Sequence, residues 1–328
     1  MVLQRLRYPG VYALLAAVSV ACLAPVRAAT SFRFATVDEG RAIVVTRDEY
    51  VQRLGALERA LKVKSEDPIS EAAFLQTLGD AVRPWTDADR AAVQDALAMI
   101  REPLAELGLP LPNTVFFVKT SGAGEGNAPH TRLNAMMLTQ RALNQPPILA
   151  RLLAHELFHI ASRQNKAWRD AMYATIGFVS IDEVALPAQL AARRITNPDA
   201  PRIDVAIKVL TDDGPVWVAP VLQSTADRYD AVRGGEFFAY LSLAWLEVAR
   251  GERSPQRAEL EQPPRMRSTA DLRGFNEQVG RNTAYVIHPE EILADNFAQL
   301  ATGQAAHSPE IHQRLREALR RHGPDVRR

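Results

Sequence analysis

Residues 148–160 are an apolar run carrying the pentapeptide His155-Glu156-Leu157-Phe158-His159, and no other stretch of the 328 residues restricts the fold so narrowly. Pro146 and Pro147 open the segment, and Pro147 suits a first helical turn. Ile148, Leu149, Leu152, Leu153, Leu157, Phe158 and Ile160 then recur over a helical rather than a strand length. On such a helix, residues four apart share a face and lie about 6 Å apart along the axis, so both imidazoles can reach one ion. Glu156 then sits beside that ion without having to ligate it, where its carboxylate can take a proton from water. The other reading of the same residues is an amphipathic helix with two hydrogen-bonded histidines.

Two histidines leave a hydrolytic zinc site short of a third protein ligand. The segment His288-Pro289-Glu290-Glu291-Ile292-Leu293-Ala294-Asp295 supplies candidates. Glu291 and Asp295 are four apart on the helix that Pro289 predicts, so one carboxylate can bind metal while the other holds the free ring nitrogen of a ligand histidine. Glu290 and Glu291 also suit the first turn of an ordinary surface helix, where the dipole favours acids. Asp295, set among Ile292, Leu293, Ala294 and Phe297, needs a partner. His288, Glu290 and Glu183 are the rival ligands.

With these two motifs the chain resembles gluzincin-type zinc metallopeptidases, the group that includes thermolysin and the catalytic domain of anthrax lethal factor. His155-Glu156-Leu157-Phe158-His159 is similar to the group's helix. Glu291-Ile292-Leu293-Ala294-Asp295-Asn296-Phe297 resembles its second motif, Glu-x-x-x-Asp/Glu. The resemblance implies one Zn²⁺ held by His155, His159 and Glu291, with Asp295 behind the ligands and Glu156 as general base. It also implies Tyr285 as the stabiliser of the transition state, and Asn134-Ala135 on an edge strand that hydrogen-bonds an extended peptide or protein substrate. The implied fold is α+β, mostly helical, with a zincin-like core and a small sheet beside the histidine helix. The 131 residues between His159 and Glu291 depart from the short spacing of thermolysin-like enzymes and predict an insertion.

Residues 1–28 have the form of a secretory signal: Arg5 and Arg7, then an apolar stretch from Val11 to Leu23, then Val26-Arg27-Ala28 before a cleavage point. That predicts a periplasmic or secreted protein. Ser19 stands where a lipid-attachment box needs a bulky aliphatic residue before Cys22, so cleavage ranks above lipidation. Removing the segment takes three cations and no acid, shifting the net charge from +1 to −2. Such a balance draws the chain neither to nucleic acid nor to an acidic bilayer, and no later stretch is apolar enough to span a membrane. Cys22 leaves with the signal, so any metal must be held by histidine and carboxylate. A structural zinc normally takes four closed ligands, often cysteines, which weakens the competing class of a noncatalytic envelope protein.

Three regions follow: the signal over 1–28, a helical region over 29–112, and a metallopeptidase domain over 113–328 with a hairpin and helical insertion at about 197–280. Arg41–Val45 is expected as a strand, with helices over Arg47–Leu61, Ile69–Leu78 and Thr86–Leu107. Thr114–Lys119 and Thr131–Thr139 are expected as strands flanking a glycine-rich loop, Ser121–Asn127. That loop lacks the Lys-Ser/Thr pair of a nucleotide site. Ile203–Leu210 and Val216–Val221 are expected as a hairpin, Phe237–Ala249 and Pro289–Ala301 as helices, and the charged tail from His307 as a last helix.

Overall fold

The computed structural model describes residues 30–250, 257–260 and 263–324. The signal-like segment lies outside them.

The chain opens with β1 (Ser31–Phe34), α1 (Val37–Val44), α2 (Ala56–Val63), α3 (Glu71–Ala81) and α4 (Asp87–Leu107). Arg41–Val45, expected as a strand, belongs instead to α1 and its C-cap. Thr36 and Glu39 form a capping box that starts a helix before the β-branched residues are reached. Gly40 lets this helix approach the sheet, since a Cβ there would lie 3.0 Å from Val82 and from Val118. Nor does Thr46 cap a helix to Leu61: its hydroxyl donates back to Ala42 O, and a short 3-10 turn at Val51–Arg53 precedes α2. Thr86 does cap α4, in a capping box with Asp89.

Next come β2 (Thr114–Thr120), β3 (His130–Arg132), β4 (Ala135–Thr139), the single turn α5 (Gln140–Leu143) and α6 (Pro146–Gln164). The sheet order is β1-β2-β4-β3, parallel except at the β3–β4 hairpin. Side chains alternate across it. Val115, Phe117, Met136 and Leu138 meet α4 and α6 on one face, and Val118, Ala135 and Met137 meet α1 and α3 on the other. Thr131–Thr139 is therefore two strands about a turn at Leu133-Asn134, Leu133 having φ 54°. The expected boundary at 112 is not a structural one, because β1 pairs with β2 and α4 packs on α6.

Beyond α6 lie α7 (Lys166–Ala174), β5 (Phe178–Ser180), α8 (Ala188–Ala192), β6 (Val205–Thr211), β7 (Gly214–Ser224), β8 (Leu241–Arg250), β9 (Ala258–Glu259) and β10 (Met266–Arg267). These strands form an antiparallel sheet ordered β10-β8-β7-β6-β5, with β9 on β8. It is wider than the expected hairpin, and Phe237–Ala249 is a 3-10 turn followed by strand β8, not a helix. Both faces of this sheet are covered. Trp245 packs into the main core with Val205, Ile207 and Val218, while Leu246 and Val248 pack on the far side with Ala206, Ala219 and Val221. Burial on both faces removes the polar alternation that marks a strand.

The chain closes with α9 (Phe275–Val279), α10 (Pro289–Ala301) and α11 (Pro309–His322). Every residue of α10 except Asp295 is buried. Its buried amides find partners: Asn296 Nδ2 donates to Ile292 O (2.7 Å) and Gln299 Nε2 to Asn282 O (2.7 Å). Phe297 meets Phe158 of α6 at 5.8 Å between ring centres. The fold is α+β, and among the described residues no helix is long and apolar enough to cross a membrane.

Candidate metal centre

Helices α6 and α10 lie against one another, and their contact brings together two motifs far apart in sequence. One face of α6 presents His155 and His159, whose rings meet edge to face at 4.6 Å. From α10, Glu291 Oε2 lies 3.2 Å from His155 Nε2 and 3.5 Å from His159 Nε2. Zinc–ligand bonds of about 2.05 Å at tetrahedral angles separate ligand atoms by about 3.3 Å, so the spacing fits one small cation. The donor set, two imidazoles and a carboxylate, is one that zinc accepts.

The outer ring nitrogens are held by acids, which turns each Nε2 inward. His155 Nδ1 is 3.1 Å from Asp295 Oδ1, as the sequence spacing predicts. His159 Nδ1 donates to Glu290 Oε1 at 2.8 Å, so Glu290 stands behind a histidine rather than on the metal side. Glu290 also accepts from the hydroxyls of Ser162 (2.7 Å) and Tyr173. Burial pulls His155 down, but Asp295 and Glu291 outweigh it and lift the ring to about 9. Burial opposes ionisation of Glu291 too, yet the two imidazoles hold it well below the usual carboxylate range.

Glu156 is 2% exposed, and its Oε2 has no hydrogen-bond partner. Burial, reinforced by the nearby Asp199 charge, pushes it up to about 8. Ligand atoms of Glu156, His159 and Asp199 lie within 4.8 Å of one another. Asp199 and Asn197 come from the turn before β6, which the sequence marks only as a turn. Asn197 Nδ2 donates to Glu291 Oε1 at 2.7 Å, leaving Oε2 for the imidazoles. Nothing in the local sequence distinguishes these two from ordinary turn formers. Ser162, one turn beyond His159, was the more legible of the missed residues.

The remaining candidates fall into place by contact. His288 caps α10, its Nδ1 accepting from the Glu290 amide at 3.1 Å, and burial lowers it to about 3. Glu183 forms a two-pronged pair with Arg53 at 3.1 and 2.8 Å, away from the cluster. Neither rival belongs to the group of His155, His159 and Glu291 whose ligand atoms lie within 4.8 Å of one another. Tyr285 is 42% exposed on the wall of the cleft, its hydroxyl kept protonated by desolvation and by the carboxylates of Glu291, Asp199 and Glu156. The expectation for Asn134-Ala135 needs correcting. Asn134 sits in the hairpin turn with its side chain on Thr114 O, and Ala135 pairs on both sides, with Phe116 and with Arg132. The edge strand is β3, and Ala128, Pro129 and His130 line the cleft.

That cleft has a volume of about 470 Å³ and runs over the face of α6 that carries His155, Glu156 and His159. Ile148 and Leu152 of α6 line it, together with Leu222, Phe237, Phe238, Leu241 and Ile287. No known protein family, curated protein or solved structure matches this chain.

Proposed function

We propose that the chain is an exported zinc metallopeptidase with a zincin-like core, similar to the gluzincins. The observation that carries this reading is the convergence of His155 Nε2, His159 Nε2 and Glu291 Oε2, with Asp295 and Glu290 holding the outer nitrogens. Those three residues would hold the ion. Zinc bound there supplies Lewis acidity, polarising a peptide carbonyl and lowering the pKa of water toward neutrality.

The chain's own groups do the rest. Glu156 has an uncommitted buried oxygen beside the histidines, the position from which a carboxylate can accept the proton of an attacking water and deliver it to the departing amine. Glu156 lines the cleft beside the imidazoles without being one of the three converging ligands, which favours catalysis over a closed metal clamp. Tyr285 stays a neutral donor and can hydrogen-bond the oxygen that becomes negative in the tetrahedral intermediate.

The test is Glu156→Gln in zinc-loaded protein. We expect full zinc content with hydrolysis of a mixed peptide library reduced about 10²–10⁴-fold. Undiminished, chelator-sensitive hydrolysis would refute the assignment of Glu156, and a wild-type protein that takes up no zinc would refute the site.

A further inference from the structure

In the hairpin β3–β4 the turn Leu133-Asn134 makes Arg132 and Ala135 the first hydrogen-bonded pair, so the amide and carbonyl of Thr131 point outward, away from β4. An extended peptide adding a strand here would need those groups. They are taken. The Thr131 amide donates to Asp199 Oδ1 at 3.0 Å, and its carbonyl accepts from Arg163 Nη2 at 3.4 Å. Further along the edge, Pro129 has no N–H, the Ala128 amide is spent on Glu125 O (2.9 Å), and Leu133 O accepts from Arg163 Nη1 (3.1 Å).

Beside this edge, with both outward groups of Thr131 occupied, lies a cleft of about 470 Å³, the size that encloses a drug-sized ligand. Its walls include Ile148, Leu152, Leu222, Phe237, Phe238 and Leu241. Of its lining residues, Ile148 and Phe238 remain exposed although they are large and apolar.

We infer that this site grips a short apolar peptide segment through its side chains and not through strand addition along β3, with the Asp199–Thr131 contact as the feature that excludes main-chain pairing. The inference rests on the metallopeptidase reading for what the bound segment undergoes, but its test is a binding measurement. Zinc-loaded Glu156→Gln protein is titrated calorimetrically with a blocked tetrapeptide bearing central Phe-Leu, with the same peptide extended by four Gly/Ser residues at each end, and with a Ser-Ser counterpart of the tetrapeptide. Extension should change Kd by less than about threefold, and loss of the two apolar side chains should weaken binding by about tenfold or more. In Asp199→Ala the Thr131 amide is freed, and the extended peptide should then bind several-fold tighter than the short one. Tenfold tightening on extension in the unaltered edge, equal binding of the Ser-Ser peptide, or no binding of any peptide overturns the inference. Binding as expected beside a wild-type protein that cleaves none of these peptides would instead sink the peptidase reading alone.

Discussion

The two imidazoles of the centre are backed by the same chemistry in opposite surroundings. Behind His159, Glu290 is 0% exposed and shared among a ring N–H and two hydroxyls from α6 and α7. Behind His155, Asp295 is 17% exposed and shared with Arg151, itself 37% exposed. A carboxylate removed from water keeps its charge only while every lone pair is answered, whereas one at a rim can fall back on solvent. The inner clamp is therefore coupled to folding, and the outer one, on the proposed reading, mainly to the ion the site would hold.

Glu290→Ala should expose that coupling most strongly. It leaves His159, Ser162 and Tyr173 buried without their common acceptor, and breaking such a network from one side costs about 3–5 kcal/mol. Chemical denaturation of metal-free protein should register the loss in the midpoint at unchanged slope. A cost below about 1 kcal/mol would mean that the inner clamp is no more structural than the outer. Glu290→Gln keeps the shape and one acceptor and should recover part of the loss.

Asp295→Ala should give the converse pattern. His155 loses the group that fixes its tautomer, so zinc affinity in a chelator competition should fall about 10–100-fold. Stability of the metal-free chain should fall by less than in Glu290→Ala, because solvent reaches the vacated position. An Asp295→Ala protein that binds zinc normally but unfolds easily would reverse the assignment of the two clamps.

The same contrast runs between what could be read in the sequence and what could not. His155, Glu156, His159, Glu291 and Asp295 were legible because helix geometry converts a spacing of four residues into a shared face, whatever the distance between the motifs. Pro289 and Pro147 announced their helices for an equally local reason. Glu290 was visible as an acid but not as a partner of His159, since its role depends on which side of α10 faces α6. Asn197 and Asp199 reach the centre only through the tertiary path of a turn, and β8 hid its strand character because both of its faces are buried. Asn134-Ala135 failed for a related reason: a strand's place at the edge or inside of a sheet is a property of the pairing, and β3 was merged with β4 in the linear pattern.

The smallest expected effect makes the comparison sharpest. Arg151 reaches Asp295 at 3.3 Å from a partly solvated position on α6, and an ion pair of that kind contributes about 0–1 kcal/mol because water and salt compete for both charges. Asp295 would still accept the N–H of His155 and the hydroxyl of Thr283 without it. Arg151→Ala should thus leave the unfolding midpoint of the metal-free protein almost unchanged and weaken zinc binding by less than about threefold, with the difference vanishing at high salt. A loss approaching that of Asp295→Ala, persisting in salt, would show that the rim clamp is shielded from solvent after all, and the distinction between the two histidines would narrow to one of degree.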